Sequence, residues 1–146
     1  MRKEELIITR FKSKEERILY LLQGLNNKVS PKFERCTGIS SSRFELLCEL
    51  YEADEVNQST LQKLINIDSA AITRHLKQLE ADGMVSRRKN PDDNRITFVR
   101  LTPEGRERII GYKVEKATFV NKMMKDFTEE ELQMLDELLS RMQNNI

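Results

Sequence analysis

Between Met84 and Arg100 the chain gathers Arg87, Arg88, Lys89, Arg95 and Arg100 against Asp92 and Asp93. Cationic side chains at that density can neutralise phosphates, and a stiff support would hold them at fixed spacing. A second set of donors, Ser69, Thr73, Arg74, Lys77 and Gln78, together with the small Ala70, lies off an apolar stripe of Ile72, Leu76 and Leu79. Hydroxyl, guanidinium and amide groups suit base edges and phosphates, and small residues at one end permit close approach. The chemistry on offer is recognition of a polyanion. Catalysis lacks a comparable constellation: the chain has no glycine-rich phosphate loop, no nucleophile elbow and no paired-cysteine metal box, and His75 is its one histidine. No enzyme activity, cofactor or metal is expected, because a zinc site needs several converging ligands. His75 reads instead as a phosphate neighbour or a packed surface residue.

Those residues need elements to hold them. Asn57 or Ser59 can cap a short helix in which Leu61, Leu64 and Ile65 share a face, ending by Asn66. Asp68 and Ser69 offer the next N-cap, for a helix over 68–82 that Gly83 closes as its C-cap. The period then changes to alternation, with Val85, Ile96, Phe98, Val99 and Leu101 on either side of a tip containing Pro91, Asp92 and Asn94. Two short helices followed by a basic hairpin make a winged helix-turn-helix, a shape that lies on duplex DNA. A solvated basic turn is the plainer alternative for the hairpin alone.

Both ends of the chain read as helical. Ser13-Lys14-Glu15-Glu16 has capping-box spacing and opens a run in which Ile18, Leu22, Leu25 and Val29 share a face, broadened by Leu19, Leu21 and Phe33. Ser40-Ser41-Ser42 opens a stripe of Phe44, Leu47, Cys48 and Tyr51. Thr102-Pro103-Glu104 starts a helix expected to reach about Asp126, and Thr128-Glu129-Glu130-Glu131 starts a last one carrying Leu132, Leu135, Leu139 and Met142, widened by Leu138. The expected class is therefore mainly α with a small β-hairpin wing (α+β), as a single domain over 1–146. Within it, a DNA-binding head occupies 40–102 and dimerisation helices occupy 12–36 and 103–146. The outer helices exceed what a reading head requires, so their apolar faces are expected to pair with a second copy, and a homodimer suits an inverted repeat in DNA. The alternative is that they fold back on their own domain.

Composition fits this organisation. In 146 residues, 38% hydrophobic content supports a core, while no apolar run approaches the roughly 20 residues of a membrane span. Met1-Arg2-Lys3-Glu4-Glu5 lacks the apolar centre of a secretory signal, so no membrane partner and a cytoplasmic location are expected. The net charge of +1 is low for a nucleic-acid binder, but the acids collect elsewhere, at Asp126, Glu129, Glu130, Glu131, Asp136 and Glu137.

The series Leu61-x-x-Leu64, Ile72-Thr73-Arg74, Leu79-Glu80-x-x-Gly83-Met84-Val85-x-Arg87, Asp93-x-Arg95 and Leu101-Thr102-x-x-Gly105 resembles the MarR family of bacterial transcriptional regulators. The flanking helices extend the resemblance over nearly the whole chain. It implies a homodimer of triangular outline joined by the terminal helices, with helix 68–82 of each head in a major groove. Arg95 would enter the adjacent minor groove, with Asp93 holding the wing tip. On this analogy Ser69, Ala70, Thr73, Arg74, Lys77, Arg87, Arg88, Lys89, Asp93 and Arg95 contact DNA, although Arg74 has a structural alternative as an ion pair bracing the head. The resemblance further implies a repressor released from its operator by a small aromatic or phenolic effector held between the arms and the head.

Residues for sensing are less marked. Phe11, Phe33, Phe44, Tyr51 and Tyr112 are the pocket candidates, although aromatics at helical spacing usually belong to cores. Relatives that sense organic peroxides use a cysteine near the start of the first helix, and Phe11 to Arg17 contains none. Cys48 reads as a small core residue, and Cys36 beside Arg35 is the candidate for an alternative thiol-based redox sensor. A winged-helix protein-interaction adaptor is the other alternative. It would need an exposed apolar patch where a DNA reader needs Arg87 and Arg95 exposed.

Overall fold

A side-chain oxygen accepts a free backbone N–H at each helix start, so local chemistry sets the element boundaries. The computed structural model describes residues 10–146, and the reading of Met1 to Glu5 lies outside them. Helix α1 (Lys14–Thr37) opens where Ser13 Oγ accepts from Glu16 N–H, and α2 (Ser41–Tyr51) where Ser40 accepts from Arg43 N–H. Strand β1 (Val56–Asn57) leads into α3 (Gln58–Leu64), whose cap Asn57 accepts from Ser59 N–H. Asp68 caps α4 (Ser69–Ala81) through Ala71 N–H. Strands β2 (Val85–Asn90) and β3 (Asp93–Leu101) follow, then α5 (Pro103–Met123) and α6 (Glu129–Asn144). The arrangement is mainly helical with a small sheet, as expected.

Four details differ from the sequence reading. At α1 the Glu16 carboxylate accepts from Lys12 N–H instead of Ser13 N–H, so the reciprocal half of the capping box is displaced by one residue. Thr128 and Glu131 do form the complete box at α6. Gly83 stands one position beyond the cap, which is Asp82. With φ of 76°, it donates to Glu80 C=O while Met84 N–H donates to Leu79 C=O, a Schellman closure that only a left-handed residue completes cheaply. Helix α5 stops at Met123, short of Asp126, which has a φ of 68°. Finally, β1 has no counterpart in the sequence reading. It pairs with β3 to make an antiparallel sheet of order β1-β3-β2, with Val56 opposite Val99 and Arg87 opposite Val99 from the other side.

The contacts fall into two units that divide between Lys116 and Ala117. In the first, Leu46, Leu47 and Leu50 of α2, Leu61 of α3, Ile72, Leu76 and Leu79 of α4, Val99 of β3 and Ile109 of α5 are closed from solvent. Burying such side chains stabilises by about 1.5–3 kcal/mol each before entropy is subtracted. Phe33 near the end of α1 packs edge-on against Phe44, with ring centres 6.0 Å apart. The Leu101-Thr102-x-x-Gly105 step joins the sheet to α5. Thr102 Oγ1 donates to Gly83 C=O at 2.6 Å and accepts from Gly105 N–H at 3.0 Å, while a side chain at Gly105 would run into the Met84 carbonyl. In the second unit, α6 has no buried residue. No helix among the described residues is long and apolar enough to cross a membrane.

Candidate nucleic-acid interface

Helix α4 separates its two faces cleanly. Ile72, Leu76 and Leu79 enter the core, whereas Ser69, Ala70, Thr73, Arg74 and Lys77 are exposed. Thr73 Oγ1 donates back to Ser69 C=O at 2.8 Å, and Arg74 forms no ion pair among the described residues. The alternative of a bracing ion pair is thus not met among the described residues, and the Arg74 guanidinium is open to an external anion. His75, on the boundary of that face, accepts from Arg43 Nε through Nδ1 at 3.4 Å. Partial burial, then the charges of Arg43 and Arg74, hold its imidazole below the ordinary range, which favours the neutral acceptor that this bond requires. Sequence reasoning misses Arg43 because no spacing rule links residues so far apart in the chain.

At the wing, Asn90 Oδ1 accepts from Asp92 N–H at 2.9 Å, and the strand turns at Pro91-Asp92. Asp93 then accepts from Arg95 three times: from its N–H and Nε at 3.0 Å and from Nη2 at 3.1 Å. These bonds hold the Asp93 carboxyl below its usual range and raise the Arg95 guanidinium further. Arg95 is 89% exposed even so, because Asp93 fixes its direction without covering it. Lys89 and Arg100 are exposed too.

The two other wing arginines are engaged within the molecule. Arg87 is only 21% exposed and meets Glu80 of α4 through Nη2 at 3.1 Å and Nε at 3.4 Å, which corrects the expectation that it stands free. Arg88 meets Glu55 through Nη2 at 2.7 Å and Nε at 3.2 Å, and its guanidinium lies 4.9 Å from the Phe98 ring centre. Hydrogen bonding to the arginines lowers both glutamates from their usual range.

The pocket candidates are dispersed. Phe33 and Phe44 pack against one another in the core, and Phe11 pairs with Tyr20 at 4.9 Å. Tyr51 lies under Lys113 and Arg106, and Tyr112 Oη reaches Met84 Sδ at 3.9 Å. Cys36 is exposed near the end of α1; Cys48 is half-buried, and desolvation pushes its thiol up.

A profile of the MarR family matches residues 39–97. The HTH-type transcriptional regulator YdgJ of Bacillus subtilis is 58% identical over 144 residues, spanning 99% of this chain and 88% of its own length. The chain belongs to the MarR family. It is accordingly a DNA-binding transcriptional regulator of winged-helix form and not an enzyme. The HTH-type transcriptional repressor YetL of B. subtilis is 30% identical over 115 residues, 77% of this chain and 69% of its own. Among solved structures, a mutant MarR from Escherichia coli complexed with operator DNA matches with a TM-score of 0.76 at 25% identity, covering 86% of this chain and 93% of that one.

Proposed function

We propose that this MarR-family chain is a homodimeric repressor that reads an inverted repeat in duplex DNA and is released by a small-molecule effector. The observation that carries the reading is the pairing of two exposed donor groups on one buried frame: the Ser69, Ala70, Thr73, Arg74 and Lys77 face of α4, and the Arg95 tip held by Asp93. The first suits a major groove and the second a narrow minor groove beside it. Lys89 and Arg100 add phosphate contacts along the wing, while Arg87 and Arg88 are held by Glu80 and Glu55. Likeness to a relative named as a repressor and to a structure bound to operator DNA supports the same reading.

In this proposal, residues 40–102 form the reading head, and 12–36 with 103–146 form the dimerisation helices, in one domain over 1–146. Exposed Ile18, Leu19, Leu21 and Leu25 on α1 and Met134 and Leu138 on α6 supply apolar surface for a second copy. Two-fold pairing then sets the heads about 34 Å apart, one turn of DNA. A small aromatic or phenolic effector would act by favouring another spacing, and Tyr51 under Lys113 and Arg106 is a surface suited to an anionic ring. The cytoplasm is the compartment where such a protein meets DNA. The adaptor alternative is disfavoured because Leu64 is the one large apolar side chain exposed within described residues 40–102.

Selection of bound duplexes from a random pool tests the reading. An enriched inverted repeat, bound with affinity that falls steeply as salt rises, is the expected result. No enrichment, or affinity indifferent to salt, would remove its electrostatic basis.

A further inference from the structure

Adjacent residues on a strand point to opposite faces of the sheet. Arg87 and Arg88 are adjacent on β2, and each is tied to a different part of the head. Across the sheet, Arg87 is in register with Val99, which is closed from solvent, and Val99 with Val56. Arg87 therefore occupies the core-facing side of the hairpin, where α4 packs, and its two-point contact is with Glu80 on the last turns of that helix. Arg88 is in register with Phe98, and Phe98 with Asn57, on the opposite face. Glu55, two residues before Asn57, shares that face by the same alternation and takes the second fork. Phe98 lies against the Arg88 guanidinium and limits its swing.

The hairpin is thus held from both sides, by a carboxylate on α4 and by one just before β1. Neither pair is deeply buried, so neither contributes much to folding. Both are forked arginine–carboxylate contacts, however, and such pairs have a defined direction. What they constrain is the angle of the wing relative to α4, and therefore the separation between the donor face of α4 and Arg95.

We infer that Glu55 and Glu80 are positioning residues for DNA binding: they hold Arg88 and Arg87 as braces that set where Arg95 meets the duplex. The inference rests on the DNA reading proposed above and deepens it. It also makes an unusual demand, since two acids beside a DNA-facing surface must strengthen binding. If Arg87 and Arg88 acted chiefly as phosphate ligands, removing their carboxylate partners would release them and tighten the complex.

The test uses the full chain and a duplex recovered by selection from a random pool. Glu80→Gln and Glu55→Gln should each weaken binding by about threefold to tenfold, with thermal stability nearly unchanged. Arg95→Ala should weaken it too, and combining Arg95→Ala with Glu80→Gln should cost clearly less than the product of the separate losses, because both act through one contact. The exchanged pair Glu80→Arg with Arg87→Glu should recover much of the affinity lost by Arg87→Glu alone. Tighter or unchanged binding by both glutamine variants overturns the inference while leaving the DNA reading intact. Losses that multiply fully with that of Arg95→Ala also overturn it, since the brace would then not act through the wing tip. Failure of the unmodified chain to enrich any duplex overturns both together.

Discussion

Helices α4 and α6 carry apolar stripes of the same kind and meet different surroundings. In α4, Ile72, Leu76 and Leu79 are at most 1% exposed. In α6, Leu132, Leu135, Leu139 and Met142 are only partly covered, and Leu138 is 43% exposed. Steps of three and four residues say which face of a helix is apolar, but not what covers it. For α4 the cover comes from within its own unit, and the polar face left outside is the one proposed to meet DNA. For α6 the stripe itself is surface, and in the proposed dimer it is the part that works.

Truncating one leucine on each helix is the strongest way to break that contrast. Leu76→Ala should destabilise the chain by about 2–5 kcal/mol, because it removes core contacts and leaves a cavity. Leu138→Ala should cost less than about 1 kcal/mol in the separated chain and act mainly on association. Denaturant unfolding at several protein concentrations checks both, since a linked dimer has stability that depends on concentration. Similar, concentration-independent losses at the two sites would erase the distinction. Deleting 128–146 sharpens the same point: sedimentation should show weakened pairing while the head keeps its cooperative unfolding. A shortened chain that pairs as tightly as the full one would put the interface elsewhere.

Arg95→Ala addresses the other half of the comparison, the surface of the head proposed to meet DNA. With 89% of its side chain in solvent, Arg95 contributes little to folding. Its loss should weaken DNA binding about tenfold and leave the melting temperature in place. Unchanged affinity in a titration at fixed salt would exclude a wing contact.

The differing legibility of these regions has a physical basis. Ser40, Asn57, Asp68 and Thr128 act as caps over two or three residues, so a linear reading finds them. The two faces of α4 follow from helical period alone. Strand β1 is invisible in the sequence because Val56 and Asn57 are too few to show a period, and only their pairing with the distant β3 makes them a strand. The destinations of Arg87 and Arg88 are hidden for a related reason. Their charge is legible, but Glu55 lies 33 residues from Arg88, and only the sheet register brings the two together. A count of cations therefore overstates what the wing offers to phosphate. Arg95 is easier to read because its partner, Asp93, is two residues away.

The smallest expected effect comes from His75, which lies where the buried and exposed faces of α4 meet. Burial, with Arg43 and Arg74 nearby, depresses the imidazole below its ordinary value of 6.5 in the folded chain. The unfolded chain consequently takes up this proton first. The stabilising contribution of neutral His75 is present above 6.5 and is lost as pH falls through the lower folded value. Protonation also removes the acceptor for Arg43 Nε and places a third positive charge beside two arginines. Melting of the wild-type chain should therefore drop between about pH 7 and pH 5.5 by more than that of His75→Gln, whose amide can accept from Arg43 but does not titrate. The same difference should persist after deletion of 128–146, because α6 contains no histidine. Parallel curves for wild type and His75→Gln would dismiss the linkage. A difference that vanished with α6 would instead mean that the head is not energetically self-contained, and that the contrast between the two helices is one of degree.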